Sequence, residues 1–98
     1  MRTDIPCDAI RLNRCLEVTY DRFSRIVEVH AVGFSAEGNG LMRVWQVSGG
    51  SSSGEGSGWK LLRLDEVMSF RLSEEVSQAP RKGYRRGDKA LAKIVCEM

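Results

Sequence analysis

The densest chemistry in the 98-residue chain is the run 80–89, PRKGYRRGDK, where Arg81, Lys82, Arg85, Arg86 and Lys89 surround Tyr84 and Asp88 is the lone acid. Guanidinium and ammonium groups pair with phosphate oxygens, and an aromatic ring among them can stack on a base. The spacing therefore suits single-stranded nucleic acid, with Arg81, Lys82, Tyr84, Arg85 and Arg86 as the contacts. The competing reading is a solvated basic tail with Tyr84 folded back over one end of the fold, since short basic runs are weak motifs. A second set of cations, Arg25, Arg43, Lys60 and Arg63, is spread through strand-like segments. If they share one sheet face, they form a surface for an anionic group.

Residues for other chemistries are sparse. Nucleophilic catalysis needs a base beside a Ser or Cys, and His30, the sole histidine, falls within a strand-like run. The neighbouring carboxylates Asp65-Glu66 and Glu74-Glu75 are adjacent in sequence, so they do not face each other across a site. The segment 48–58, SGGSSSGEGSG, lacks the Gly-Lys-Ser/Thr ending of a phosphate loop and leads into a strand instead of a helix. It is read as a flexible connection between strands. Cys7, Cys15 and Cys96 form no CxxC pair, and with one histidine they make no spaced zinc half-site. The expectation is a non-enzymatic chain with no cofactor and no metal. An odd cysteine count with no export signal predicts reduced thiols in a cytoplasmic protein, and no apolar run reaches the length of a membrane span.

The elements that must position these groups follow from hydrophobic periodicity. Pro6, Ala9, Ile10 and Leu12 predict a short helix over about 6–14. Leu16, Val18 and Tyr20 then alternate with polar residues, as in a half-buried strand. A long β-rich run spans 25–34, and its Gly33 invites a bulge. The turn chemistry of Glu37-Gly38-Asn39-Gly40 predicts a hairpin into 41–47. Two further strands begin at Trp59 and Met68, and Asp88 is placed to cap a final short helix through Leu91 and Ile94. The fold expected is one domain over residues 1–98, mainly β: a five-stranded small barrel over 15–72 with short flanking helices and a basic tail from 80 to 98. An open two-layer α+β sheet is the alternative. Net charge runs 0 over residues 1–48, −2 over 49–79 and +4 over 80–98, so the positive charge is concentrated at the end.

The order of a helix, LEVTYD, RIVEVHAVG, LMRVWQVSGG and WKLLRLDEV resembles a WYL domain, a bacterial ligand-sensing module often joined to helix-turn-helix regulators. The likeness covers about residues 5–75, and the tail PRKGYRRGDKA is similar to that of short stand-alone members. Tyr20 matches the tyrosine ending the family's first strand and Arg25 the arginine opening its second. Val27-Glu28-Val29-His30 stands where the family has a similar stretch with a proline. The Trp-Tyr-Leu signature falls near Leu41-Met42-Arg43, with Trp45 displaced. Lys60, Leu62, Leu64 and Asp65 match a later pattern in which Glu66 replaces an arginine. The resemblance implies a Sm-like, SH3-like barrel that senses an anionic ligand such as a nucleotide or single-stranded nucleic acid. Tyr20, Arg25, His30, Arg43, Gln46, Lys60 and Arg63 are then the ligand-binding set. A protein-interaction or homodimerisation domain without a small-molecule ligand is the other function expected.

Overall fold

The computed structural model describes residues 2–51, 54 and 56–98. Helix α1 (Asp4–Leu12) is followed by strands β1 (Arg14–Tyr20), β2 (Phe23–Phe34), β3 (Gly40–Gly49), β4 (Gly58–Arg63), β5 (Val67–Val76) and β6 (Lys93–Glu97), with a 3₁₀ turn at Leu64–Glu66. Asn13 ends α1 in the left-handed region at φ 56°, where its N–H reaches the last carbonyls of the helix. An asparagine tolerates that conformation, so the helix stops before the expected boundary. Asp21 and Arg22, at φ 51° and 69°, make the tight turn between β1 and β2, as a two-residue hairpin requires.

All strand pairs are antiparallel and the sheet order is β4-β3-β2-β1-β5, with β6 paired to β2 beyond the end of β1. The end strands β4 and β5 do not pair, so the sheet is not closed. β2 is its axis: β3 runs along one edge, while the other edge takes β1 over 23–27 and β6 over 31–34. Gly33 lets β6 come in, because a Cβ there would lie 2.1 Å from the Lys93 carbonyl oxygen.

Burial on both faces of β2 divides the interior. Val27, Val29 and Val32 join Leu16, Val18, Met42, Val44 and Leu62 in the main core, against which Ala9 of α1 packs. Glu28 and His30 alternate with Val27 and Val29 along the strand, and the segment 77–92 folds across the sheet beside them. Under that segment Ala31, Leu41 and Leu91 form a second, smaller cluster with Tyr84 and Ile94.

Two expectations are corrected here. The helix expected from Asp88 is absent: the Asp88 carboxylate accepts the Ala90 N–H and its carbonyl accepts the Leu91 N–H, which makes one turn. The chain then enters β6, where the β-branched Ile94 and Val95 fit a strand and the unpaired edge of β2 supplies the ladder. The expectation of three reduced thiols also fails, since Cys7 of α1 and Cys96 of β6 form a disulfide across 89 residues of sequence, leaving Cys15 buried and free. Folding, not local spacing, brings that pair together. No helix among the described residues is long and apolar enough to cross a membrane.

Candidate ligand cleft

The polar residues of β2 sort into two places. At its start Arg25 is 3% exposed, yet among the described residues its guanidinium reaches only neutral acceptors: Gln46 Oε1 at 3.3 Å and the Tyr20 carbonyl at 3.2 Å. The rings of Tyr20 and Phe23 lie 5.1 and 5.8 Å from its centre, and Nε has no hydrogen-bond partner among the described residues. Gln46, fully buried, turns its amide nitrogen to the carbonyls of Gly50 and Gly56, each at 3.1 Å. It thereby closes the base of the Gly/Ser connection. Of that connection, Ser52, Ser53 and Glu55 lie outside the described residues, and the expectation of a flexible loop falls partly on them.

Further along β2, Glu28 and His30 face the segment 77–92. The Glu28 carboxylate, 1% exposed, accepts the Gln78 N–H at 2.6 Å and both arms of the Arg81 guanidinium at 2.6 and 3.2 Å. The His30 ring is fully buried, with Nδ1 2.9 Å from the Glu28 carbonyl and Nε2 2.9 Å from the Arg81 backbone nitrogen. A carbonyl can only accept and an N–H can only donate, so His30 is the neutral Nδ1–H tautomer. Burial lowers its pKa below the usual histidine range. Burial and the nearby Glu28 carboxylate push the Cys15 thiol up to about 11.

Three rings meet at this point. Trp59 stands edge-on to His30 at 4.7 Å, Tyr84 is 5.1 Å from His30, and Trp59 and Tyr84 lie 6.4 Å apart at 29° between planes. Trp45 extends the group, 5.4 Å from Trp59 and 5.5 Å beneath the Arg81 guanidinium. Gly83, at φ +95°, carries the backbone past the Trp59 indole nitrogen. Only glycine takes that conformation without strain.

Trp59 and Tyr84 open into a cleft of about 400 Å³ that is also lined by Arg43, Arg85, Arg86, Asp88 and Lys89, a volume within the range of small-molecule sites. Asp88 holds Arg43 through two bonds of 2.7 and 3.3 Å, and the Arg43 guanidinium keeps the Asp88 carboxyl below its usual range. Arg86 leans on Glu97 at 3.0 Å, and the exposed Arg85 and Lys89 also line the rim. The Tyr84 hydroxyl is buried, and burial raises its pKa.

The expected ligand set is thus dispersed. Tyr20, Arg25 and Gln46 come together; Arg43 joins the cleft; His30 forms the buried side of the ring cluster. Lys60 reaches Ser51 Oγ at 3.4 Å. Arg63 is held by Asp65 at 2.8 Å and by Asn39, while its backbone N–H approaches the Tyr20 hydroxyl, which bonds Glu66. Arg25 pairs opposite Gly49 and Arg43 opposite Ala31, about 20 Å apart along β2 at ~3.3 Å per residue. Of the tail set, Tyr84, Arg85 and Arg86 line the cleft, Arg81 is an internal anchor and Lys82 is exposed.

Glu28, Trp59 and Asp88 were not singled out as binding or anchoring residues from the sequence. The signal for Glu28 was present, since two polar residues two apart in a run of valines mark a strand face with a partner of its own. Nothing in the spacing tied Trp59 to Tyr84. Among the described residues no group of His, Cys, Asp and Glu has the arrangement of a metal site. Comparison of the chain with family models, curated proteins and solved structures finds no significant match.

Proposed function

We propose that the chain is a non-catalytic binding module for an anionic ligand with a flat ring: a nucleotide, or a nucleotide unit of single-stranded nucleic acid. The observation that carries this reading is the joint lining of one cleft by two aromatic rings, Trp59 and Tyr84, and by Arg85, Arg86 and Lys89. The rings offer stacking surfaces to a base. The cations offer phosphate contacts. His30 is not available as a base, because both ring nitrogens are committed within the protein.

The resemblance to a WYL sensing module with a Sm-like barrel belongs to the same reading. The strand order bears on its fold alone: the unpaired ends β4 and β5 are consecutive and joined by the short 3₁₀ turn. A regulatory role follows from that likeness.

The test is a titration of tryptophan fluorescence with a nucleoside monophosphate and with a decathymidylate, against inorganic phosphate as control. The nucleotides are expected to quench Trp59 and phosphate alone to bind more weakly. Arg85→Glu/Arg86→Glu should reduce affinity at least about tenfold, the equivalent of ~1.4 kcal/mol. Decathymidylate affinity should fall with salt, with a log-log slope near −0.7 for each phosphate contacted. Equal affinity in wild type and the charge-reversed protein overturns the reading.

A protein-interaction role has its own observation. Met68 and Val76 on β5, an end strand of the sheet, are 78% and 64% exposed, and free edges invite pairing. A concentration-dependent dimer in sedimentation, lost in Met68→Lys, would favour it.

A further inference from the structure

The cleft has one wall on the sheet, Trp59 with Arg43, and the other on the segment 83–89. That second wall is useful only while its segment is seated. Its entry is fixed by two buried side chains two residues apart on β2: Glu28 takes the Gln78 N–H and the Arg81 guanidinium, and His30 Nε2 takes the Arg81 N–H. Its exit is held by β6 and the Cys7–Cys96 disulfide. The entry therefore depends on a neutral histidine acceptor, whereas the side-chain acceptors at the exit are carboxylates, Glu97 on the Gly87 N–H and Asp88 on the Ala90 N–H.

We propose that His30 is a proton-operated latch on this cleft: neutral, it seats Arg81 and completes the binding wall; protonated, it unseats residues 78–86 and the cleft loses Tyr84 and Arg85. The proposal rests on the cleft reading above for its functional consequence, and on the hydrogen-bond geometry alone for the latch itself.

The chemistry is a conflict of donors. An imidazolium carries hydrogens on both nitrogens, so a proton on Nε2 would point at the Arg81 N–H with no lone pair left between them. Nδ1 offers no escape, because its hydrogen is already given to the Glu28 carbonyl. The groups facing the ring are the Glu28 carboxylate and the Arg81 guanidinium, which pull its ionisation in opposite directions and largely satisfy each other. Tyr84 and Trp59 add ring faces and edges. On the strand side the His30 carbonyl is taken by the Met98 N–H. Burial places the ring below the ordinary histidine range, so the latch is closed at neutral pH and opens only below that range.

The latch can be read without any ligand. In ¹⁵N-labelled protein the imidazole nitrogens should report the Nδ1–H tautomer at about pH 8. As the pH is lowered, His30 should protonate below its unperturbed value of ~6.5. The Arg81 amide should lose exchange protection at that same midpoint, and Gly83, Tyr84 and Gly87 should shift with it while the β1–β2 and β2–β3 amides hold still. His30→Gln, whose amide oxygen can still accept and which does not titrate, should abolish the coupled shift. Decathymidylate, whose phosphodiesters keep constant charge over this range, should lose affinity by about tenfold per pH unit below the midpoint, the slope for linked uptake of one proton.

If His30 protonates while the Arg81 amide stays protected, or if 83–87 shift identically in His30→Gln, the latch is wrong. If decathymidylate does not bind at any pH while the amide titration behaves as described, the cleft reading fails and the latch stands.

Discussion

The two ends of β2 hold the same functional group in opposite ways. At Arg25 a guanidinium sits inside the protein against a neutral amide, a carbonyl and two rings, with one nitrogen unpartnered among the described residues. At Arg81 a guanidinium meets the buried Glu28 carboxylate through two bonds, and its backbone N–H is taken by His30. A buried charge without a counter-charge is costly, whereas a hydrogen-bonded pair fixes geometry even where its net energy is small. The Arg81 end accordingly organises a whole segment, while the Arg25 end closes the base of a loop through Gln46. Position along one strand thus separates a clamp from a cation still lacking an acid among the described residues.

The largest effect that separates the two ends is covalent. The Cys7–Cys96 bridge closes 89 residues and is attached at β6, on the Arg81 side. Chain-entropy arithmetic puts the loss on reducing a loop of that length at about 4–5 kcal/mol. Cys7→Ser/Cys96→Ser should lower the denaturation midpoint by that order and expose the segment 83–92 to hydrogen exchange before the Arg25 end. Cys15, buried with its thiol at about 11, should resist alkylation in the folded protein before and after reduction. Two labels per native chain after reduction, none before, is the expected mass shift. A native chain that takes up labels without a reductant would break the pairing.

Glu28→Gln makes the Arg81 end resemble the Arg25 end, since the amide keeps the shape and removes the charge. Hydrogen bonds to a charged partner are worth about 1.5–3 kcal/mol, and a loss in that range is expected by urea denaturation, with residues 78–86 the first to exchange. A change below about 0.5 kcal/mol, within the noise of surface substitutions, would mean that the charge at Glu28 is not what clamps the segment.

This contrast also separates what could be read in the sequence from what could not. The main core was legible because Leu16, Val18, Val27 and Val29 alternate with polar neighbours, and periodicity reports a strand's own faces. The strand starts, the hairpin into β3 and Gly33 as a special position followed from local turn chemistry and backbone geometry. Which cations share a surface was not legible. Arg25, Arg43, Lys60 and Arg63 look alike in a row of letters, and register together with bulges at Ile26/Val27 and Val29/Ala31 sends them to different places. β6 was missed because Asp88 offers a helix cap locally, while the open edge of β2 that captures Ile94 and Val95 exists only after folding. The disulfide was missed for the same reason.

The pH dependence of stability tests the two ends without a mutation at either arginine. His30 is neutral when folded and has a lowered pKa, so between the folded value and ~6.5 the unfolded chain binds the extra proton. Its contribution is complete above about pH 6.5 and is lost as pH falls from there through the folded value. The slope from one site is at most about 1.4 kcal/mol per pH unit. Denaturation of wild type and His30→Gln from about pH 8 to pH 5 should give curves that converge in acid. Parallel curves would show that His30 titrates alike in the folded and unfolded chain.

The smallest effect is expected at Arg25, and its smallness is informative. Arg25→Met removes the guanidinium and keeps an unbranched chain between the Tyr20 and Phe23 rings. It gives up two bonds to neutral acceptors, and it also removes the cost of holding a charge that has no acid beside it among the described residues. Replacing a buried ionic group by an apolar one of similar size is often neutral or stabilising. The net change should therefore stay within about 1 kcal/mol of wild type, with Gln46 still free to hold the Gly50 and Gly56 carbonyls. A loss of about 3 kcal/mol or more, the signature of breaking a buried pair, would mean that Arg25 does have a strong anionic partner in solution. The contrast between the two ends of β2 would then be one of partner identity instead of partner absence.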